Sequence, residues 1–304
     1  MASQQSTLEP SRVRQTIRKW LESRISEKDL ETLKQAGESL QKEAEDWEVF
    51  SSFSKASRIT GKEKAELSED EIKEAGGLRR GWDPSGWTLD QLGRTYLVLS
   101  FAERGKEEFF EKLEKLFISG DLSETVALYQ ALPVLPWPDE LTDRGAEGIR
   151  TNITSVFNAV ALKNPYPADY FDDDAWNQVI LKSLFVGSPL YKIQGVDRRA
   201  NKPLAQMLVE YAHERWSAGR EVSPELWRPA GPFIGEEFVD DLEKVINHPD
   251  KIQQYAAVLA LKASDSEAAK NLLTDQTQLV NDVSEKNITW VLIGKSFEKQ
   301  KQSG

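Results

Sequence analysis

Apolar residues recur at intervals of three and four along most of this chain, and this spacing constrains the fold more than any other feature. One such stripe follows Pro10 and consists of Val13, Ile17, Trp20 and Leu21. Residues spaced in this way share one face of an α-helix, whereas a half-buried strand would need strict alternation of apolar and polar residues. No alternating pattern competes with the helical one. The sequence therefore predicts an all-α protein.

Short polar patterns mark where several helices begin. Ser26-x-x-Asp29 and Thr88-x-x-Gln91 match the capping box, and Asp121 caps a further segment. The second helix is expected to run from Leu30 through Trp47, and a longer one from 140 to 162. Further helices are predicted at 173–186, 202–218, 223–226, 236–246, 251–262 and 266–273, followed by a terminal segment through Val280 and Trp290.

Gly- and Pro-containing segments divide the chain into expected domains. We predict an N-terminal helical hairpin at 1–59, a linker or surface loop at 60–86, a main helical domain at 87–297 and a tail at 298–304. Helix pairs joined by short proline-marked turns are typical of an irregular stack of antiparallel pairs, as in an α-solenoid of HEAT type. Because no clean repeat is present, a large helical bundle is the alternative.

Composition excludes several classes of site. The 304 residues include no cysteine, so disulfides, thiolate nucleophiles and iron–sulfur sites are excluded. A net charge of −11 disfavours nucleic-acid binding. No stretch approaches the roughly 20 apolar residues that a transmembrane helix needs, and the first residues lack the apolar core of a secretory signal. We therefore expect a cytoplasmic protein without a transmembrane segment.

The loops of residues 164–232 are unusually rich in aromatic, Arg and Asn residues. Asn201 is the predicted N-cap of the helix at 202–218, whose periodicity places Arg215 among apolar residues. Since burying an unpaired guanidinium is costly, Arg215 should meet a carboxylate, a carbonyl cluster or an anionic ligand. Asp197 is a reasonable partner, and Arg198 either contributes to a site or is solvated.

A histidine on the same helix is a candidate for metal or acid–base chemistry. Glu210-x-x-His213 matches half of a carboxylate di-iron motif, but the only other histidine, His248, has no Glu three residues before it. The second half is missing, so no metal and no cofactor is predicted. A hydrogen-bonded histidine is the structural alternative, and a lone general base the catalytic one. Asn177 is expected to fix a neighbouring loop by hydrogen bonds or to contact a ligand.

The sequence resembles the EboA family of bacterial proteins. The resemblance is carried by seven stretches within residues 147–228, a span of about a quarter of the chain: Glu147-Gly148-Ile149-Arg150-Thr151-Asn152, Val156-Phe157-Asn158-Ala159-Val160-Ala161-Leu162, Asn164-Pro165-Tyr166-Pro167, Ala175-Trp176-Asn177-Gln178, Gly195-Val196-Asp197-Arg198-Arg199-Ala200-Asn201, Tyr211-Ala212-His213-Glu214-Arg215-Trp216 and Pro224-Glu225-Leu226-Trp227-Arg228. It implies an accessory role in a pathway that makes or moves a small secondary metabolite. No catalytic residue carries over from the family.

The leading hypothesis is a non-enzymatic helical binding or adaptor protein, whose partner is a small metabolite, another protein of the same pathway, or both. The residues chosen for its site are Arg150, Asn177, Asp197, Arg198, His213, Arg215 and Trp216. Cationic and amide groups would orient a polar part of the ligand, and aromatic rings would cover its apolar part. The alternatives are an enzyme using His213 with Glu210 or Asp197, with or without a metal, and a purely structural partner.

Overall fold

The computed structural model describes residues 9–42 and 44–303. These residues form eighteen α-helices and no β-sheet, so the predicted all-α fold is confirmed. Residues 1–8, 43 and 304 belong to the predicted hairpin and tail and lie outside the described residues. None of the described helices is both long and apolar enough to cross a membrane.

The chain divides into two compact units, Met1–Tyr170 (unit 1) and Phe171–Gly304 (unit 2), which differ from the boundaries expected from the sequence. The helices of unit 1 are α1 (Pro10–Glu22), α2 (Glu27–Gln41), α3 (Asp46–Thr60), α4 (Glu69–Leu78), α5 (Leu89–Phe101), α6 (Lys106–Ser119), α7 (Leu122–Ala131), α8 (Thr142–Arg150), α9 (Thr154–Ala161) and α10 (Tyr166–Tyr170). Three 3-10 turns add to them: Ala102–Arg104, Leu132–Val134 and Pro138–Leu141.

Helix α5 is the centre of unit 1. It packs against α1, α2, α3 and α7, and every one of its residues except Gln91 is buried. Its start is the predicted capping box, in which Thr88 and Gln91 satisfy each other's backbone N–H groups. Packing on several sides of one helix corresponds to a bundle within this unit, which is one of the two arrangements predicted from the sequence.

The N-terminal region contains three helices, whereas the sequence predicted two. Its second apolar stripe was expected to continue through Trp47, but α2 ends at Gln41 and α3 starts at Asp46. The reason is a capping box in which the Glu45 side chain accepts from the Glu48 N–H and the Glu48 side chain accepts from the Glu45 N–H at 2.9 Å. Trp47 consequently lies 67% exposed and outside the core.

Residues 60–86, expected to be a linker or surface loop, contain α4 and pack into unit 1. Ser68 and Glu71 form the capping box of α4, and the Glu71 carboxylate accepts two hydrogen bonds from Arg24, at 2.9 and 2.6 Å. Trp82 follows α4 and lies buried, with its ring 5.7 Å from that of Trp20. The aromatic contact explains why a Gly- and Pro-containing segment is not a free linker.

The single helix predicted at 140–162 is also divided. Helix α8 ends at Arg150 and α9 begins at Thr154, and between them the Thr151 hydroxyl accepts a hydrogen bond from the Ile153 N–H at 3.2 Å. The division lets α8 fold back onto α9, and Gly148 makes the approach close. A Cβ at Gly148 would lie 2.6 Å from the Tyr129 ring and 2.7 Å from a Val160 methyl group.

Gly148→Ala should therefore destabilise the protein, although alanine is the better helix former. Overpacking of this kind typically costs about 1–3 kcal/mol. The matched control is Gly76→Ala in α4, where an added Cβ would meet nothing within 4 Å and the helix should gain about 0.5–1 kcal/mol. Urea denaturation of both variants measures the difference, and equal stabilities would contradict the close approach of α8 to its neighbours.

Unit 2 is built around α15. Its helices are α11 (Asp173–Val186), α12 (Lys202–Ser217), α13 (Trp227–Ala230), α14 (Val239–Ile246), α15 (Lys251–Lys262), α16 (Glu267–Thr274), α17 (Thr277–Glu285) and α18 (Trp290–Ser303), with 3-10 turns at Leu190–Lys192, Pro224–Leu226 and Gly231–Phe233. Helix α15 packs against α13, α14, α16, α17 and α18. The predicted tail at 298–304 is mostly the end of α18.

A buried carboxylate joins two of the 3-10 turns of unit 2. Glu225 is 2% exposed and accepts hydrogen bonds from the N–H groups of Leu190, at 3.1 Å, and Tyr191, at 2.5 Å. Burial raises the pKa of Glu225 to about 7, although both hydrogen bonds favour the ionised form. Helix α18 covers the carboxylate at Gly294, where a Cβ would lie 2.7 Å from it.

This raised pKa makes the stability of the protein depend on pH. Between the ordinary glutamate pKa near 4.5 and about 7, folded Glu225 keeps a proton that the unfolded chain releases, so the free energy of unfolding falls as pH rises. The shift corresponds to about 3 kcal/mol. Glu225→Gln should remove this contribution, so that its stability relative to wild type is higher at pH 8 than at pH 5.

Chemical denaturation at the two pH values measures the effect. Glu236→Gln is the control, because Glu236 is exposed and forms no hydrogen bond or ion pair with another described residue. A difference between wild type and Glu225→Gln that stays constant from pH 5 to pH 8 would contradict the prediction.

Candidate functional site

The start of α12 is fixed by a pair of amides. The Asn201 side chain accepts from the Leu204 N–H at 2.9 Å, which confirms it as the N-cap. Its amide also exchanges two hydrogen bonds with the amide of Asn177, at 2.8 and 3.3 Å. Asn177 is 4% exposed, and this reciprocal pair ties α11 to the start of α12. Of the two roles expected for Asn177, the one in which it fixes a neighbouring loop by hydrogen bonds therefore has a partner, Asn201.

The expected pairing of Arg215 with Asp197 is wrong. Asp197 instead accepts two hydrogen bonds from Arg228, at 2.7 and 2.6 Å. Arg215 is half-buried and donates from Nε and Nη2 to the backbone carbonyl of Glu221, at 3.1 and 2.9 Å. A nearby carbonyl beyond the end of α12 satisfies this guanidinium without a buried carboxylate. Arg215 therefore fixes the segment that follows its own helix.

Two predicted site residues are exposed arginines. Arg198 lies in the segment between α11 and α12, and Arg150 is the last residue of α8 in unit 1. Arg150 lines a cavity of about 280 Å³ together with Phe110, Leu113, Glu114, Phe117, Glu140, Leu141, Asp143, Arg144 and Glu147. Arg144, which also lines this cavity, is paired with Glu114 and Glu147.

His213 has an acidic partner that the sequence did not single out. Its Nε2 lies 2.8 Å from Oδ1 of Asp241 in α14, and its side chain is 52% exposed. A carboxylate in this position fixes the orientation of the imidazole ring. Among the described residues, no group of three or more His, Asp or Glu side chains is placed to hold a metal ion.

Trp216 lines a cavity in unit 2 with a volume of about 640 Å³. The segment from the end of α12 to α13 forms one wall, and α14, α15 and the turn between them form the other. The lining residues are Trp216, Gly219, Arg220, Glu221, Val222, Trp227, Lys244, Val245, Asn247, His248, Pro249 and Gln253. We call this space the Trp216 cavity.

Its apolar part is a pair of stacked indoles. The ring centroids of Trp216 and Trp227 are 6.0 Å apart with an interplanar angle of 28°. Lys244 lies over the Trp216 ring, with Nζ 5.0 Å from its centroid. Trp227 is fully buried, and its Nε1–H has no acceptor among the described residues. An aromatic face with a cation over it suits a flat, apolar ligand that carries negative charge.

Polar groups complete the cavity. Gln253 is buried and donates from Nε2 to the Val222 carbonyl at 2.8 Å, while its Oε1 has no donor among the described residues. Arg220 is exposed, and its guanidinium has no partner in the part of the chain that the structure describes. The side chains therefore offer the amide oxygens of Gln253 and Asn247 and two cations, Arg220 and Lys244, beside the carboxylate of Glu221.

Of the site residues predicted from the sequence, Trp216 lines this cavity and the other six do not. Trp227 belongs to one of the stretches that resemble the family, and the sequence assigns no role to Lys244 and Gln253. Asp241 and Lys244 are three residues apart, so both lie on one side of the predicted helix at 236–246. That spacing was the only available signal, because nothing local connects α14 with α12.

No curated protein and no solved structure matches the chain. A family model, described as metabolite traffic protein EboA, matches residues 13–231. The match includes Trp216 and Trp227 and ends before Lys244 and Gln253, so one wall of the Trp216 cavity lies within it and the other beyond it. Because the match extends over more than half of the 304 residues, the chain belongs to the EboA family.

Proposed function

We propose that the protein is a non-enzymatic binding protein for a small metabolite with an aromatic or apolar body and an anionic group. The observation that carries the proposal is the pair of stacked indoles with Lys244 above it in a cavity of about 640 Å³. Cavities of roughly 300–1,000 Å³ with apolar walls and few polar groups are typical of small-molecule sites. The family description, metabolite traffic, supports the same kind of ligand.

The two parts of the ligand are assigned to different residues. Its apolar body stacks on Trp216, where burial of aromatic surface supplies most of the affinity. Its anionic group lies toward Lys244 and Arg220, and a donor on the ligand reaches Oε1 of Gln253. Arg215 positions this wall through the Glu221 carbonyl, and His213, held by Asp241, lies beside Trp216 without lining the cavity.

The remaining predicted residues fit an adaptor role. Asn177 and Asp197 fix the segment between α11 and α12 through their amide and carboxylate partners. Arg198 and Arg150 are exposed, and we assign them to contacts with another protein of the pathway. In this role the protein holds a secondary metabolite during its synthesis or transport and does not transform it.

One observation favours a second candidate function. The hydrogen bond between His213 and Asp241 is the arrangement of a general base with an orienting carboxylate, as in hydrolytic triads. An enzyme of this kind would use Asp241 in place of Glu210 or Asp197. His213→Gln separates the two functions, since it abolishes turnover by an enzyme but leaves binding by Trp216 and Lys244 within about threefold.

The Trp216 cavity should bind the aromatic anion 1-anilinonaphthalene-8-sulfonate in the folded protein. Trp216→Ala removes the stacking face and should weaken binding at least 10-fold, and Lys244→Ala should weaken it about 3- to 10-fold. Trp47→Ala is the control, because Trp47 is an exposed tryptophan outside the cavity. Fluorescence titration gives the dissociation constants, and near-ultraviolet circular dichroism verifies that each variant is folded.

Equal affinity of wild type and Trp216→Ala for the probe would overturn the site.

Native mass spectrometry of protein isolated from cells that contain the whole pathway should show an added small-molecule mass. Trp216→Ala should lose that mass while Trp47→Ala keeps it. If Trp216→Ala keeps the added mass, the metabolite binds elsewhere on the chain. A wild-type protein that shows only the mass of the polypeptide would contradict metabolite binding.

A further inference from the structure

A second cleft, in unit 1, contains none of the residues assigned above. Its volume is about 770 Å³, and it is formed by the end of α3, by α5, and by the turn between α6 and α7. Eleven residues line it, and all of them except Gly61 are polar or charged. None of them is a large apolar residue, so the cleft differs in chemistry from the Trp216 cavity.

The innermost cation of this cleft is Arg94 of helix α5. Arg94 is 2% exposed, and its Nη1 donates to the carboxylate of Asp90. Its Nε–H is buried and has no acceptor among the described residues. A guanidinium carries five N–H donors, and burial makes unused donors costly. Arg94 therefore has hydrogen-bonding capacity left for an anion that enters the cleft.

Two further cations stand at the rim. Arg58 lies near the end of α3, and Lys62 follows that helix after Gly61, which adopts a positive φ of 84°. Both side chains are exposed, and neither has a partner in the part of the chain that the structure describes. The hydroxyl groups of Ser54 and Ser57 are likewise without protein partners there. Three cations and two free hydroxyls thus converge on one cleft.

Three carboxylates, those of Glu63, Asp121 and Glu124, also line the cleft, so it is not a uniformly basic site. Asp121 Oδ1 accepts from the Glu124 N–H at 2.8 Å, and Glu124 Oε2 accepts from the Asp121 N–H at 3.0 Å, so both are fixed as the capping box of α7. Their remaining lone pairs are acceptors for hydroxyl groups. A ligand with one strongly anionic group and a hydroxylated body would satisfy both halves of the lining.

We propose that this cleft binds a phosphomonoester of a small polyol. The phosphate is held by Arg58, Lys62 and Arg94, since arginine and lysine are the usual phosphate ligands in proteins. The hydroxyl groups of the ligand contact the serines and the oxygens of Asp121 and Glu124. The site is independent of the proposed function, because no residue is shared with the Trp216 cavity.

Isothermal titration calorimetry of the full chain tests the proposal with three probes. Glycerol 3-phosphate should bind, inorganic phosphate should bind at least threefold more weakly, and glycerol should not bind at 10-fold higher concentration. If inorganic phosphate binds as tightly as the ester, the polyol half of the assignment is wrong. If glycerol binds as well as its phosphate, or glycerol 3-phosphate does not bind, the whole proposal is overturned.

The rim cations give the decisive variants. Arg58→Ala with Lys62→Ala should weaken glycerol 3-phosphate binding at least 10-fold without loss of stability, because both side chains are exposed and unpaired among the described residues. Lys55→Ala, an exposed lysine of α3 that does not line the cleft, is the matched control and should bind like wild type. Unchanged binding by the double variant overturns the site.

Arg94→Lys tests the buried cation. It keeps a positive charge beside Asp90 but loses the fork of donors, so binding should fall at least 10-fold in a folded protein. If this variant does not fold, the double variant of the rim decides the question alone.

Discussion

Helix α5 has almost no surface in contact with solvent, and the rest of unit 1 is arranged around that fact. A helix buried on every side must satisfy its polar side chains internally. Ser100 and Thr95 do so with carbonyls of their own helix, at 2.9 and 2.8 Å, and Asp90 does so with Thr88 and Arg94. Arg94 keeps a buried Nε–H without an acceptor among the described residues, and the proposed phosphate site starts from that donor.

The parts of the fold that the sequence predicted are those determined by a few neighbouring residues. The capping residues Thr88, Asp121 and Asn201 were recognised because a cap needs only its own side chain and an N–H about three residues later. The all-α class followed from the same short-range periodicity. The apolar spacing does not mark the end of a helix when it continues into the next one, as it does from Leu40 in α2 to Trp47 in α3.

Features that depend on distant residues could not be predicted in the same way. The acceptor of Arg215 is the backbone carbonyl of Glu221, and a backbone acceptor cannot be identified from the sequence. Asp197 pairs with Arg228 because folding brings α13 next to the segment that precedes α12. The wall contributed by α14 and α15 faces Trp216 only in the folded unit. Candidate site residues can be predicted from the sequence, but a cavity depends on how distant helices pack together.

Two of the contacts that hold the segment between α11 and α12 differ in their chemistry. At one end, the amides of Asn177 and Asn201 exchange two hydrogen bonds between neutral groups. A few residues earlier, Asp197, whose side chain is 66% exposed, is bound to Arg228 by charge. Dissolved salt weakens the ion pair between Asp197 and Arg228 and leaves the hydrogen bonds between the two amides nearly unchanged. In a cell under osmotic stress, rising ionic strength would therefore loosen this segment at Asp197 while the amide pair kept α12 in place.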